Sequence, residues 1–126
     1  EHAPNAAVEF PGHLDRAPYE ELLCSADLAV QLRTASNGEA SGAICDCLAA
    51  GVPTIVTDLG WTGELPRNAV AHTPPGTPPE RLAALMQELI TDLPRRTALT
   101  EAGLAHARAN SFGHVAAAYI DALGLA

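Results

Sequence analysis

The sequence predicts an α/β fold, a parallel sheet with flanking helices. Three observations predict it. Strand-length apolar runs alternate with stretches of helical period, in the order strand, helix, strand, helix, strand. The run Val52-Pro53-Thr54-Ile55-Val56-Thr57 is β-branched and apolar throughout, the pattern of a strand buried on both faces. Turn-forming residues stand where these runs end, at Ser36-Asn37-Gly38 and at Asp58-Leu59-Gly60.

Taken in order, Val8-Glu9-Phe10 followed by Pro11-Gly12 reads as a short strand ending in a turn. Pro18 to Ala26 carries Tyr19, Leu22, Leu23 and Ala26 at helical spacing, with Pro18 suited to a first turn. Leu28 to Leu32 is a second strand. The polar stretch Arg33 to Glu39 then leads to a helix from about Ser41 to Ala50. Ile44, Cys47 and Leu48 give that helix an apolar stripe, and Gly51 stands where a left-handed C-terminal cap belongs. After the strand at 52–57 comes a ligand-edge loop, Asp58 to Gly63. Val70-Ala71-His72 is a further short strand, and Leu82 to Ile90 is an amphipathic helix. Thr97 to Ala109 and Phe112 to Leu123 complete the chain as one or two helices. Three or four strands are fewer than the five or six of a full doubly wound sheet, so the sheet is expected to be incomplete on its N-terminal side.

The chain has 126 residues, 48% of them hydrophobic, enough for a single core. No apolar run approaches the roughly eighteen residues needed to cross a bilayer. No basic or apolar leader opens the sequence, and a cytoplasmic location is expected. The absence of an initial Met suggests a fragment of a longer protein. Net charge is −8, and all seven basic residues are Arg. Such a field repels DNA and RNA, which excludes nucleic acid as a partner class but leaves room for a small phosphorylated ligand. Cys24, Cys45 and Cys47 are odd in number and lack CxxC or Cys/His spacing, so neither a disulfide framework nor a metal site is expected. Positions two apart on a helix point about 200° apart, so Cys45 and Cys47 cannot chelate one ion. Helix packing is their simplest role.

Ligands of open α/β sheets bind outside the carboxyl ends of the strands. That edge gathers Gly12-His13, Arg33 through Gly42, and Asp58 through Gly63. In the middle cluster a run of small residues, Ser36 to Gly42, leads straight into a helix N-terminus. The free N–H groups and dipole end there attract anions, and small residues let a diphosphate approach the backbone. Asp46 lies four residues beyond Gly42 on the same helix face, with its side chain leaning toward the N-terminus. A carboxylate so placed can accept hydrogen bonds from a ribose diol. The competing reading makes Glu39 and Asp46 solvated surface charges.

The stretch from Arg33 to Gly42, continuing through Asp46-Cys47-Leu48-Ala49-Ala50-Gly51-Val52-Pro53-Thr54-Ile55-Val56, resembles family 4 glycosyltransferases of the GT-B fold. That family has an acidic loop residue, a Gly at the helix start, and an acid–Ala–x–Ala–x–Gly–x–Pro run entering a buried strand. Val8 to Gly12, Ala26-Asp27-Leu28 and Gly63-Glu64-Leu65 extend the resemblance, in order, over essentially the whole chain. It implies a Rossmann-like C-terminal domain that binds a nucleotide-diphosphate sugar, in a retaining glycosyltransferase that needs no metal or cofactor. The first strands and the N-terminal acceptor domain are expected to lie outside residues 1–126.

By that resemblance Glu39 is the catalytic-site acid that contacts donor-sugar hydroxyls. Ser41, Gly42 and Ala43 donate backbone N–H groups to the diphosphate, with Arg33 contacting the phosphate or the acceptor. Asp46 binds the ribose, and Gly12 and His13 lie near the nucleobase. Two departures stand out. The family spaces its acids E-x7-E, whereas this chain has Glu39-x6-Asp46. The Arg and Lys that family members use on the leaving diphosphate belong to upstream strands not represented here. Glu64 reads first as a turn residue and second as a catalytic acid. Trp61 suits either stacking on a sugar or capping the sheet edge. His72, His106 and His114 are given no role, and Arg95-Arg96 is surface charge.

Two rivals remain in view. A non-catalytic nucleotide-binding or assembly domain would share the fold without the chemistry. A flavodoxin-like signalling domain would want an acidic cluster and a phospho-acceptor Asp at an early strand end, against the motif order seen.

Overall fold

A computed structural model describes residues 7–125. The elements are α1 (Arg16–Cys24), β1 (Ala29–Gln31), α2 (Gly42–Ala49), β2 (Thr54–Thr57), α3 (Trp61–Glu64), β3 (Ala71–Thr73), α4 (Pro79–Thr91), α5 (Leu93–Ala109) and α6 (Phe112–Ala122). The strands form a parallel sheet in the order β1-β2-β3, with Val30 opposite Ile55 and Ile55 opposite Ala71. The chain is thus α/β, three parallel strands flanked by helices, compatible with a Rossmann-like fold.

β2 is central, and all four of its residues are buried. Successive side chains of a strand point to opposite faces, and β2 uses both. Ile55 packs with Ala71, Leu89 and Leu99 on the α4 side. Val56 packs with Ile44, Leu48, Leu65 and Val70 on the α2 side. This two-sided burial accounts for the absence of polar alternation in the strand.

The start and end of α2 follow from its sequence. Ser41 is the N-cap, Ala50 the C-cap, and Gly51 adopts φ +72° just beyond, the left-handed turn a Cβ disfavours. α5 crosses beneath the amino-terminal edge of the sheet. Thr100 Oγ1 donates to Gly51 O at 3.1 Å, and Gly103 lies against Leu48 and the Ala69 carbonyl, residues that precede β2 and β3.

The structure corrects the sequence reading in places. Residues 8–10 form no strand; Val8 is 68% and Phe10 91% exposed. A run of three residues becomes a strand only when a neighbouring strand takes its hydrogen bonds, and among the described residues none pairs with it. The turn at Gly12 is present, with φ +68°. α1 begins two residues before Pro18, and β3 ends one residue after His72. The loop expected at 58–63 includes the start of the short helix α3, in which Glu64 is the last residue.

Candidate functional site

The carboxyl ends of the strands, the α2 start and α3 share one edge, and a chain of contacts organises it. The Arg33 backbone N–H, just past β1, donates to Thr57 Oγ1 at the end of β2, 2.8 Å away. The following loop is built from its own polar atoms. Gly38 N–H donates to Ser36 Oγ at 3.0 Å, with Gly38 at φ +87°. Asn37 N–H donates to Glu39 Oε2 at 2.8 Å, and Arg33 Nη1 forms an ion pair with Glu39 Oε1.

Gly60 anchors the neighbouring loop. It has φ +58°, and a Cβ there would stand 2.2 Å from Ser36 Oγ. The two loops therefore meet backbone against side chain, at a spacing that only Gly permits. Beside them, Arg67 donates to Asp58 Oδ2 at 2.9 Å. Thr62 Oγ1 donates to Leu59 O at 2.7 Å, and His72 Nε2 bonds Thr62 O at 2.9 Å, fixing α3 to β3. Because a carbonyl only accepts, Nε2 carries the proton. The buried Nδ1 has no hydrogen-bond partner among the described residues.

The start of α2 is open. Ser41 is buried, yet its hydroxyl accepts no bond from the first helical turn. Gly42 and Ala43 are exposed, and nothing lies within 4 Å of the Cβ position at Gly42. The N–H groups of residues 42–44 have no partner four residues back within the helix, and the positive end of its dipole lies at this start, where Gly42 and Ala43 are exposed and Ile44 is buried.

Glu39 is held ionised. Its own backbone N–H, then that of Asn37, then the Arg33 guanidinium set its carboxyl below the ordinary glutamate range. These are interactions with the charged form, and they outweigh the partial desolvation that acts the other way.

The residues singled out in the sequence divide into two places. Arg33, Glu39, Ser41, Gly42 and Ala43 share the edge just described. Asp46 lies on the exposed side of α2 and accepts from the Tyr19 hydroxyl at 3.2 Å. Gly12 and His13 are exposed in the loop before α1. Between α1 and α2 lies a cleft of about 550 Å³ lined by Leu14, Tyr19, Leu23, Asp46, Ala49 and others. Arg33 is engaged by Glu39 instead of standing free for an anion. Trp61 packs half-buried on the α2-side core, which favours its role as a sheet-edge cap. Arg95 pairs with Glu88, and His114 bonds Ser111 Oγ at 2.9 Å, both far along the chain from the site loops.

No family model, curated protein or solved structure matches this chain.

Sequence reasoning missed Thr57, Gly60 and Tyr19. The Asp58-Leu59-Gly60 turn was visible, but its contact with Ser36 joins two loops and has no local signature. At helical spacing with Leu22 and Leu23, Tyr19 reads in the sequence only as part of an apolar stripe. Its hydroxyl, the polar tip of an otherwise apolar side chain, was the available signal. Cys45 is exposed and Cys47 buried, as their angular separation requires, and burial pushes the Cys47 thiol up. Among the described residues no group of three His, Cys, Asp or Glu side chains gathers to hold a metal.

Proposed function

We propose that this chain is the donor-binding region of a retaining GT-B glycosyltransferase that uses a nucleotide-diphosphate sugar. The observation that carries the reading is the Glu39 carboxylate, held by the Asn37 N–H and the Arg33 guanidinium, three residues before the start of α2, both at the carboxyl edge of a parallel sheet. The diphosphate sits on the N–H groups of Ser41, Gly42 and Ala43. Gly42 gives it room and Ser41 starts the helix. Charge that develops on the departing diphosphate is stabilised by donors already in place. Glu39 accepts from hydroxyls of the donor sugar, and the Arg33 pair and Asn37 N–H fix its orientation. Asp46 takes the ribose, with Gly12 and His13 toward the base. An acceptor-binding domain of the same enzyme completes the cleft.

The family motif order supports this reading over a plain nucleotide-binding domain, because such a domain has no use for Glu39. Titration of uridine, guanosine and adenosine diphosphates, and of their sugar conjugates, tests it. The Ser41 to Ala43 amide resonances should shift with at least one nucleotide. Glu39→Ala should weaken the sugar conjugate while leaving the bare diphosphate unchanged. Amides that stay still with every nucleotide would sink the proposal. An equal effect of Glu39→Ala on both ligands would remove the sugar contact. In the complete enzyme, Glu39→Ala should lower turnover by orders of magnitude.

A further inference from the structure

Tyr19 reaches from α1 to α2, where its hydroxyl donates to Asp46 Oδ2 at 3.2 Å across 27 residues of sequence. Packing does not require that hydroxyl. α1 buries no residue fully, and the Tyr19 ring is only half-buried. A Phe would cover the same surface. What the hydroxyl adds is direction. An Asp on the outer side of a helix otherwise samples several χ1 wells, and this contact selects one of them. The selected carboxylate stands at the wall of the 550 Å³ cleft between α1 and α2, a size within the range of about 300–1,000 Å³ typical of small-molecule sites.

A carboxylate has about four lone-pair positions, and Tyr19 takes one. Oδ1 and the remaining capacity of Oδ2 stay available for two adjacent hydroxyls. Orienting the acceptor beforehand removes part of the ordering cost when a ligand arrives. The need is specific to this chain, because its second acid is an Asp one residue closer to Glu39 than the family pattern places it.

We propose that Tyr19 is a positioning residue that holds the Asp46 carboxylate toward the α1–α2 cleft to receive the vicinal diol of a nucleotide ribose. This rests on the donor-binding reading above. The phenol itself is pushed up, first by burial and then by the Asp46 charge and hydrogen bond, so it remains a protonated donor through the neutral range.

The test compares the 126-residue chain with its Tyr19→Phe variant. Calorimetry measures uridine, guanosine and adenosine diphosphates and their 2′,3′-dideoxy counterparts. Tyr19→Phe should weaken the ribonucleotides about three- to tenfold and leave the dideoxy forms unchanged. Equal losses for both series mean a purely structural role and overturn the proposal. Tighter ribonucleotide binding means that Tyr19 competes with ribose, and also overturns it. Unchanged ribonucleotide binding overturns the Tyr19 role alone. No binding by the unsubstituted chain overturns the donor-site reading and this one together. A readout free of ligand guards against a Tyr19→Phe variant that fails to fold. In Asp46→Asn the Tyr19 phenol should titrate lower than in the unsubstituted chain, and an unmoved titration shows the pair to be absent in solution and overturns the proposal.

Discussion

The carboxylate of Glu39 accepts from its own loop before any ligand is present, and that changes what its arginine partner does. The Glu39 backbone N–H and the Asn37 N–H lower its pKa more than Arg33 does. Arg33→Ala should therefore raise the Glu39 titration midpoint only part of the way to the ordinary glutamate value. Carbon-detected NMR of the side-chain carboxyl reads this, and a full return would mean that the loop N–H bonds are not formed in solution. The sign for stability follows. The folded-state value is depressed, so the contribution is complete above the unfolded value and is lost as pH falls through the folded one. The side chains are 31% and 45% exposed, so the pair orients Glu39 more than it stabilises the fold. Gly60 sits two residues past Asp58 and is the stiffer constraint. Gly60→Ala combines a φ of +58° with a Cβ 2.2 Å from Ser36 Oγ. It should cost about 1–3 kcal/mol in chemical denaturation from the backbone conformation alone. Adding Ser36→Gly should recover the steric part and leave that backbone cost in place. A neutral Gly60→Ala would show that the two loops do not meet.

Elements differ in how much of their context they carry within themselves. α2 was legible at both ends, because a cap residue and a terminal Gly act through local backbone geometry. β2 was legible because burial on both faces removes polar alternation. The four residues of α3 are too few to show a period, so that helix was invisible. Val8-Glu9-Phe10 misled for the opposite reason: the residue types favour strand, but pairing decides it. α6 is the clearest case of an element without tertiary support among the described residues. None of its residues is buried, and Phe112, Val115, Tyr119 and Ile120 are exposed, as is Leu123 at its C-cap. Ser111 caps it by accepting from His114 N–H at 3.4 Å. Isolated helices shorter than about 12–15 residues are marginal in water, and α6 has 11 residues. Its amides should exchange orders of magnitude faster than those of β2 and of the buried turn of α5 around Leu99 and Gly103. Hydrogen exchange read residue by residue checks this. Protection of α6 equal to that of α5 would mean that its apolar face is covered in solution.

Across the whole molecule the field opposes the ligand proposed for it. Net charge is −8, and Arg16, Arg33, Arg67 and Arg95 are each paired with a carboxylate. On the donor-binding proposal, a nucleoside diphosphate would approach against net repulsion and be received by dipoles, the N–H groups at the start of α2. Those groups act only at contact, where they carry a partial charge of about half a unit. The repulsion acts over the Debye length, which shrinks from about 30 Å to about 8 Å between 0.01 M and 0.15 M salt. Screening should thus remove the long-range penalty and leave the contact nearly untouched. The association rate should rise with salt over that range while the dissociation rate changes little. A site built on free arginines would do the reverse, gaining its speed from attraction that salt weakens. Stopped-flow or NMR line-shape measurements at several salt concentrations separate the two cases. An association rate that falls with salt would mean that an arginine side chain, and not the α2 amides, receives the anion.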